Sequence, residues 1–420
     1  RDVTEAIMVG DADGINDRIK AMEGENTKGS LLAKIKSFNQ GNQYYMLITE
    51  DFNDIRLVGA PPSAIGKFGG DTDNWLWPRH TGDFSVFRIY ADSKNESAQY
   101  SADNVPYKPI KSLPISLKPK NVGDFAMVYG FPGSTFQHTA SGKLDFYMNE
   151  ERPARIEMRQ KIIDLMSPAM NANDQIRIQY ASKQARIANA WKKWIGQIGG
   201  LKETHAMDKK KGFEEEYMAK AAEKTEWKTK YFGVINELNE LQKENAKYEF
   251  ARSLFIEYFY VGPEFMNYAL SFANLANNYE KLEAEGTLQE ELDNLMRKQK
   301  GFFKNYNKAL DQDIFNALTP LYLSYVDADL LPENLANTWQ RNGYKIYEKS
   351  MLLNQEKLEA SLTKFSKKTV KKILKDPAYL YALTLYRAYA ARVAPGYGAY
   401  AEKEEDLMKR YVEGKLAMFP

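Results

Sequence analysis

Apolar positions before residue 150 fall in short alternating runs, whereas after it they recur at intervals of three and four. The first pattern is that of strands, with successive side chains on opposite faces. Leu32 to Phe38 and Tyr44 to Thr49 read as two strands around the turn Asn39-Gln40-Gly41-Asn42, and Ile55 to Gly59 as a third, giving a hairpin or meander. Further strands are expected at Phe84 to Ala91, near Leu113 to Leu117, and at Phe125 to Phe131. Eight of the sixteen prolines punctuate this region, together with Gly, Asn and Asp clusters, and the spacing suits a barrel.

From Glu150 the spacing predicts helices. Ile156, Ile162, Ile163 and Met166 share one side of a first helix, which Pro168 should break. A second starts near Asn173, carries Ile176, Tyr180, Ile187, Trp191, Trp194 and Ile198, and should stop at Gly199-Gly200. A longer segment from Phe213 to Tyr260 closes at Gly262-Pro263. Breaks are expected around Glu285-Gly286, Leu331-Pro332, Asp376-Pro377 and Pro395-Gly396. Such stripes could form a partner-binding coiled coil, but helices packing on one another with solvated outer faces is the simpler reading. The chain therefore divides into a β-rich part, residues 1–148, and an all-α part, residues 149–420, an α+β multidomain arrangement.

A length of 420 residues agrees with two domains. Lys plus Arg total 58 against 56 for Asp plus Glu, a balance that gives no electrostatic case for nucleic acid or an anionic membrane. There is no cysteine, which excludes disulfides, thiolate metal sites and a cysteine nucleophile. The most apolar windows, such as Ser253 to Val261, are short and carry Glu257, so no membrane insertion is expected. The chain opens at Arg1 with no signal-peptide pattern, and an upstream segment is expected to have been removed.

The stretch richest in chemistry is GGDTDNWLWPRHTGDFSVFRIYA, Gly69 to Ala91. It is an aromatic, polar loop that feeds directly into a strand, the kind of segment on which sites are built. Asp83 stands at the junction. It could be an ordinary loop aspartate that caps a backbone N–H or pairs with Arg79 or Arg88. Trp75 and Trp77 could simply pack against the end of a barrel, and Asn74 could form an Asx turn. Asp11-Ala-Asp13-Gly begins like a calcium loop, but its later positions are out of register. No metal motif, phosphate loop or dinucleotide fingerprint is present, so no metal and no cofactor is expected.

Asp83 before an alternating strand, followed by VGDFAMVYGFPGS from Val122 to Ser134, resembles the trypsin-like proteases of the double-barrel fold. More specifically, RLVGAPPSAIGKFGGDTDNWLWPRHTGDFSVFRIYAD, GDFAMVYGFPGST and RIQYASKQARIANAWKKWIGQIGGLK are similar to the bacterial dipeptidyl peptidases of the dipeptidyl-peptidase 7 and 11 type. The resemblance covers nearly the whole chain. It implies part of a chymotrypsin-like β-barrel followed by a large all-α domain that caps the active-site cleft, and a serine-type enzyme that removes dipeptides from the free N-termini of oligopeptides.

By that pattern Asp83 is the aspartate of the catalytic triad, and Asn74 and Trp75 hold the substrate's free amino terminus. The chemistry agrees: the Asn74 side-chain carbonyl can accept from an α-ammonium, and an indole face can attract it. The family's histidine and serine would lie upstream and downstream of these residues, so the chain alone is expected to be inactive. His80, His138 and His205 do not stand where the family's base does, and Ser134 and Ser141 lack a nucleophile context. The resemblance further implies a homodimer, at the periplasm or outer cell surface of a Gram-negative bacterium. The alternative is a non-catalytic peptide-binding or scaffold protein that keeps the trypsin-like fold.

Overall fold

The structure, a computed structural model, describes residues 1–11, 13–127 and 136–419. It is mostly helical, 65%, with two small open sheets. The chain forms two compact units. One comprises residues 1–139, 221–231 and 408–420, and the other residues 140–220 and 232–407.

In the first unit, strands β1 (Leu31–Phe38) and β2 (Gln43–Glu50) pair antiparallel, with Leu31 opposite Glu50 and Phe38 opposite Gln43. The turn between them is tight: Asn39, Gln40 and Gly41 all have positive φ. Alternation buries Ala33, Ile35, Tyr44 and Met46 against Val3 and Ile7, with Ile15, Ile19 and Met22 packed at the border. The helix Ile15–Asn26 and the residue after it also satisfy the free edge of β1. Thr27 Oγ1 accepts from Ala33 N–H at 3.1 Å, and Glu23 Oε1 accepts from Ile35 N–H at 2.7 Å. Side chains thus occupy donors that an exposed strand edge would leave open.

The second sheet has the order β3 (Asp54–Gly59), β4 (Val86–Ala91), β5 (Val105–Pro106), all antiparallel. Its register places Ile55 opposite Ile89 and Leu57 opposite Phe87, so these four side chains share one face, and all four are exposed. On the other face Arg56 pairs with buried Asp54 at 2.7 Å and lies 3.8 Å from the Tyr90 ring centroid.

The expected barrel is not closed among the described residues. No strand forms near Leu113 to Leu117, whose apolar side chains are exposed and whose backbone has no ladder partner. Alternation supplies a strand's faces, but a strand also needs a neighbour to accept its hydrogen bonds. Phe84 and Ser85 precede β4 rather than belonging to it. Of the strand expected at Phe125 to Phe131, residues 125–127 are irregular and the remainder lies outside the described residues.

The second unit is helical. Its core joins Met158, Ile162, Tyr180, Phe255, Tyr258, Phe265, Phe315, Leu318, Tyr347 and Tyr379. The helix Asp174–Glu203 is capped by Asn173, whose side chain accepts from Ile176 N–H at 3.1 Å. It continues past Gly199-Gly200 and stops at Thr204 and His205, where φ turns positive at 51°. The segment expected as one long helix divides into Ala206–Ala221, Thr225–Tyr231 and Val234–Phe255, followed by a π turn, Ile256–Val261, that ends at Gly262. A Cβ on Gly262 would come within 2.9 Å of the Tyr258 carbonyl oxygen, so the close turn requires glycine. Among the described residues no helix is long and apolar enough to cross a membrane.

Candidate active site

Gly69 to Asp83 forms a closed loop between the short helix Ser63–Gly66 and β4. Its centre is Asp73, 3% exposed, at the end of the helical turn Gly70–Asp73. Asp73 Oδ2 accepts from His80 N–H at 2.6 Å and from Thr81 Oγ1 at 2.8 Å, while His80 Nδ1 lies 3.2 Å from Oδ1. The Thr81 hydroxyl oxygen in turn accepts from Gly69 N–H at 3.0 Å. Both ends of the loop are thereby fastened to one carboxylate. These donors, His80 N–H first and the Thr81 hydroxyl next, hold the Asp73 carboxyl down at about 2. A Cβ on Gly69 would stand 1.9 Å from Asp73 Oδ2, so the carboxylate fits only against a glycine.

Asn74 and Trp75 are the central residues of the turn that leaves Asp73. Asn74 has φ −65° and ψ 123°, Trp75 has φ 60°, and Leu76 N–H donates to the Asp73 carbonyl at 3.1 Å. These are the marks of a type II turn, whose third position needs positive φ and favours glycine or asparagine. A tryptophan there is strained backbone. Asn74 is half-buried and Trp75 is 50% exposed. Trp77, expected to pack against a barrel end, is instead 85% exposed, and the Trp77-Pro78 bond is cis.

Gly82 N–H donates to the Ile65 carbonyl at 3.1 Å and fixes the approach to β4. Asp83 follows. Its carboxylate is exposed and has no hydrogen bond or ion pair among the described residues, so neither Arg79 nor Arg88 holds it. A triad aspartate is expected to be buried against an imidazole. Here none of the chain's three histidines makes a hydrogen bond or ion pair with Asp83: His80 is on Asp73, His205 Nδ1 lies 3.7 Å from Asp208, and His138 Nε2 lies 3.2 Å from Gln137. Ser141 is buried and donates to Glu214 Oε2 at 2.6 Å, which occupies it at the start of a helix. Ser134 lies outside the described residues.

The structure thus brings Asn74 and Trp75 into one turn and Asp83 to the end of the same tied loop. Asp73 was missed by sequence reasoning, where it counted as one aspartate among three. The available signal was a His-Thr pair seven and eight residues downstream, able to return a backbone N–H and a hydroxyl to it.

The peptidase S46 model matches residues 2–420, and the chain belongs to that family. Among curated relatives, an Asp/Glu-specific dipeptidyl-peptidase of Flavobacterium psychrophilum is 38% identical over 390 residues, covering 92% of this chain and 54% of the relative. A dipeptidyl-peptidase 7 of Phocaeicola vulgatus is 36% identical over 370 residues, covering 86% and 50%. The chain spans about half the length of these relatives. Among solved structures, the crystal structure of Porphyromonas endodontalis DPP11 in complex with the dipeptide Arg-Glu matches all of this chain and 62% of that one, with a TM-score of 0.82 at 27% identity.

Proposed function

We propose that the protein is a serine-type dipeptidyl peptidase, of which this chain carries the triad aspartate, Asp83, and the turn that receives the free amino terminus of an oligopeptide. The observation that carries the reading is the loop Gly69 to Asp83, which exposes an indole, an amide and a carboxylate on one internally tied segment. Its support from outside the chain is the naming of relatives as dipeptidyl peptidases and the dipeptide bound to the similar DPP11.

In this reading the Asn74 carbonyl accepts from the substrate's ammonium and the Trp75 face adds a cation–π attraction. An ammonium held two residues from the scissile bond makes a dipeptide the product. Asp83 accepts an imidazole N–H, which fixes the tautomer whose other nitrogen takes the serine proton, and it balances the imidazolium that forms. The histidine and serine come from segments outside this chain. Those segments also cover the apolar face of Ile55, Leu57, Phe87 and Ile89 and complete the barrel. The protein works as a homodimer at the periplasm or outer cell surface of a Gram-negative bacterium.

The test uses the full-length protein with one peptide, free and N-acetylated. The free peptide should lose its N-terminal dipeptide, read by mass spectrometry, and the acetylated one should not. Asn74→Ala should raise KM for the free peptide by about tenfold with a much smaller change in kcat, as expected for loss of an interaction made equally by substrate and transition state. Equal cleavage of both peptides, or an unchanged KM in the variant, would reject the amine-binding role.

A further inference from the structure

We propose that Asp73 is the positioning residue of the amine-binding turn: its buried carboxylate sets the backbone that presents Asn74 and Trp75, without touching substrate itself. The proposal rests on the function inferred for Asn74 and Trp75.

A bulky residue such as Trp75 at φ 60° keeps that conformation only where its surroundings over-determine it. Asp73 supplies the constraint at two levels. Its carbonyl accepts the hydrogen bond that closes the turn, from Leu76 N–H at 3.1 Å. Its side chain, one residue before Asn74, is locked by His80 N–H at 2.6 Å and the Thr81 hydroxyl at 2.8 Å, and Thr81 also holds Gly69 at 3.0 Å. The peptide that starts the turn therefore has little freedom to rotate. The segment enclosed by these ties runs from residue 69 to residue 81 and contains Asn74 and Trp75, and two residues beyond it stands Asp83.

An ordinary capping aspartate would accept from donors within its own turn. Asp73 instead receives donors seven and eight residues away, and a glycine leaves room for its carboxylate. His80, whose ring is 60% exposed, is thus a partner of Asp73 through its backbone as well as its ring. The loop is built around the carboxylate, and the exposed side chains of the turn are its product.

The experiment is a double-mutant cycle in the full-length protein, with kcat and KM measured on a free oligopeptide for Asp73→Ala, Asn74→Ala and the pair. Asp73→Ala should raise KM by about tenfold or more, because a displacement near 1 Å is enough to lose that much. In the double variant the rise in KM should fall well short of the product of the two single effects, since with Asn74 gone only Trp75 is left to position. Asp73→Asn, whose amide oxygen can still accept from His80 N–H, should recover part of the loss. Thr81→Val should reproduce a smaller rise. These two variants keep the test alive if Asp73→Ala does not fold. Multiplying effects in the cycle, or an unchanged KM in Thr81→Val and Asp73→Asn alike, would overturn the proposal. If Asn74→Ala itself leaves KM unchanged, the amine-binding reading fails first.

Discussion

Trp75 holds a backbone conformation that costs a residue with a Cβ about 1–2 kcal/mol. The indole must therefore contribute something that glycine could not. Two substitutions separate ring from backbone. Trp75→Gly and Trp75→Ala both remove the indole, so both should weaken binding of free N-termini to a similar degree in the full-length protein. Only glycine relieves the positive φ, so Trp75→Gly should be the more stable of the two by about 1 kcal/mol in denaturant unfolding. Equal stability would mean that the turn relaxes when the ring is lost.

At this scale the sequence disclosed the loop and its exposed side chains but not what holds them. Asn74, Trp75 and Asp83 stood out in the sequence because of their residue types and a long motif. Asp73 did not, because a carboxylate's role depends on which donors fold back onto it, and His80 and Thr81 reach it through three-dimensional closure. It is Asp73, not Asp83, that the chain's own residues enclose.

Among the elements, strand positions up to Gly59 followed directly from alternation, and the breaks at Gly286 and Asp376 from their local chemistry. Gly286 has φ 73°, and Asp376 caps the helix that begins at Pro377. Prolines misled twice. The helix Arg152–Ala172 runs through Pro168, with Met166 and Met170 buried on either side of it. The expected break at Pro395-Gly396 is absent: the helix Pro377–Ala388, the π turn Tyr389–Val393 and the helix Ala394–Met418 follow one another without a gap, with the irregular turn just ahead of Pro395. Tertiary packing overrode a local signal in the first case, and an irregular turn absorbed it in the second.

The helical unit also buries charge that its stripes did not announce. Glu257, fully buried, accepts from Arg155 and Arg159, and both guanidinium groups lie over Trp194 at 4.1 and 4.7 Å. Asp311, also fully buried, accepts from Glu264 N–H and from the hydroxyls of Tyr306 at 3.1 Å and Tyr347 at 3.0 Å, while the Glu264 carboxylate is held by Tyr180 and Lys183. Burial first, and the neighbouring Glu264 charge second, push the Asp311 carboxyl up to about 7.

An unfolded aspartate titrates near 3.9, so between about pH 4 and 7 the folded state binds the proton more tightly. Stability from this group is then complete below about pH 4 and is lost as pH rises toward 7, by on the order of a few kcal/mol. Asp311→Asn should flatten that slope, measured as unfolding free energy against pH across the window. A variant with the wild-type slope would place the titration elsewhere.

For the whole molecule, the change of period near residue 150 separates strands from helices, but the compact units do not follow it: residues 221–231 and 408–420 belong with residues 1–139, because packing and not periodicity decides which elements associate. Closure of a barrel was not readable either, because it depends on strands finding partners, and Ile55, Leu57, Phe87 and Ile89 have no cover within the described residues. The chain belongs to the peptidase S46 family and spans about half the length of these curated relatives.

Asp83 is the proposed partner of the catalytic imidazole. The most direct measurement is turnover of the full-length protein carrying Asp83→Asn, at saturating concentrations of a free oligopeptide. An asparagine would hold the imidazole in the wrong tautomer, so kcat should fall by roughly 10⁴-fold while KM changes little. Turnover equal to that of the wild type would contradict the assignment and return Asp83 to the status of an ordinary surface carboxylate.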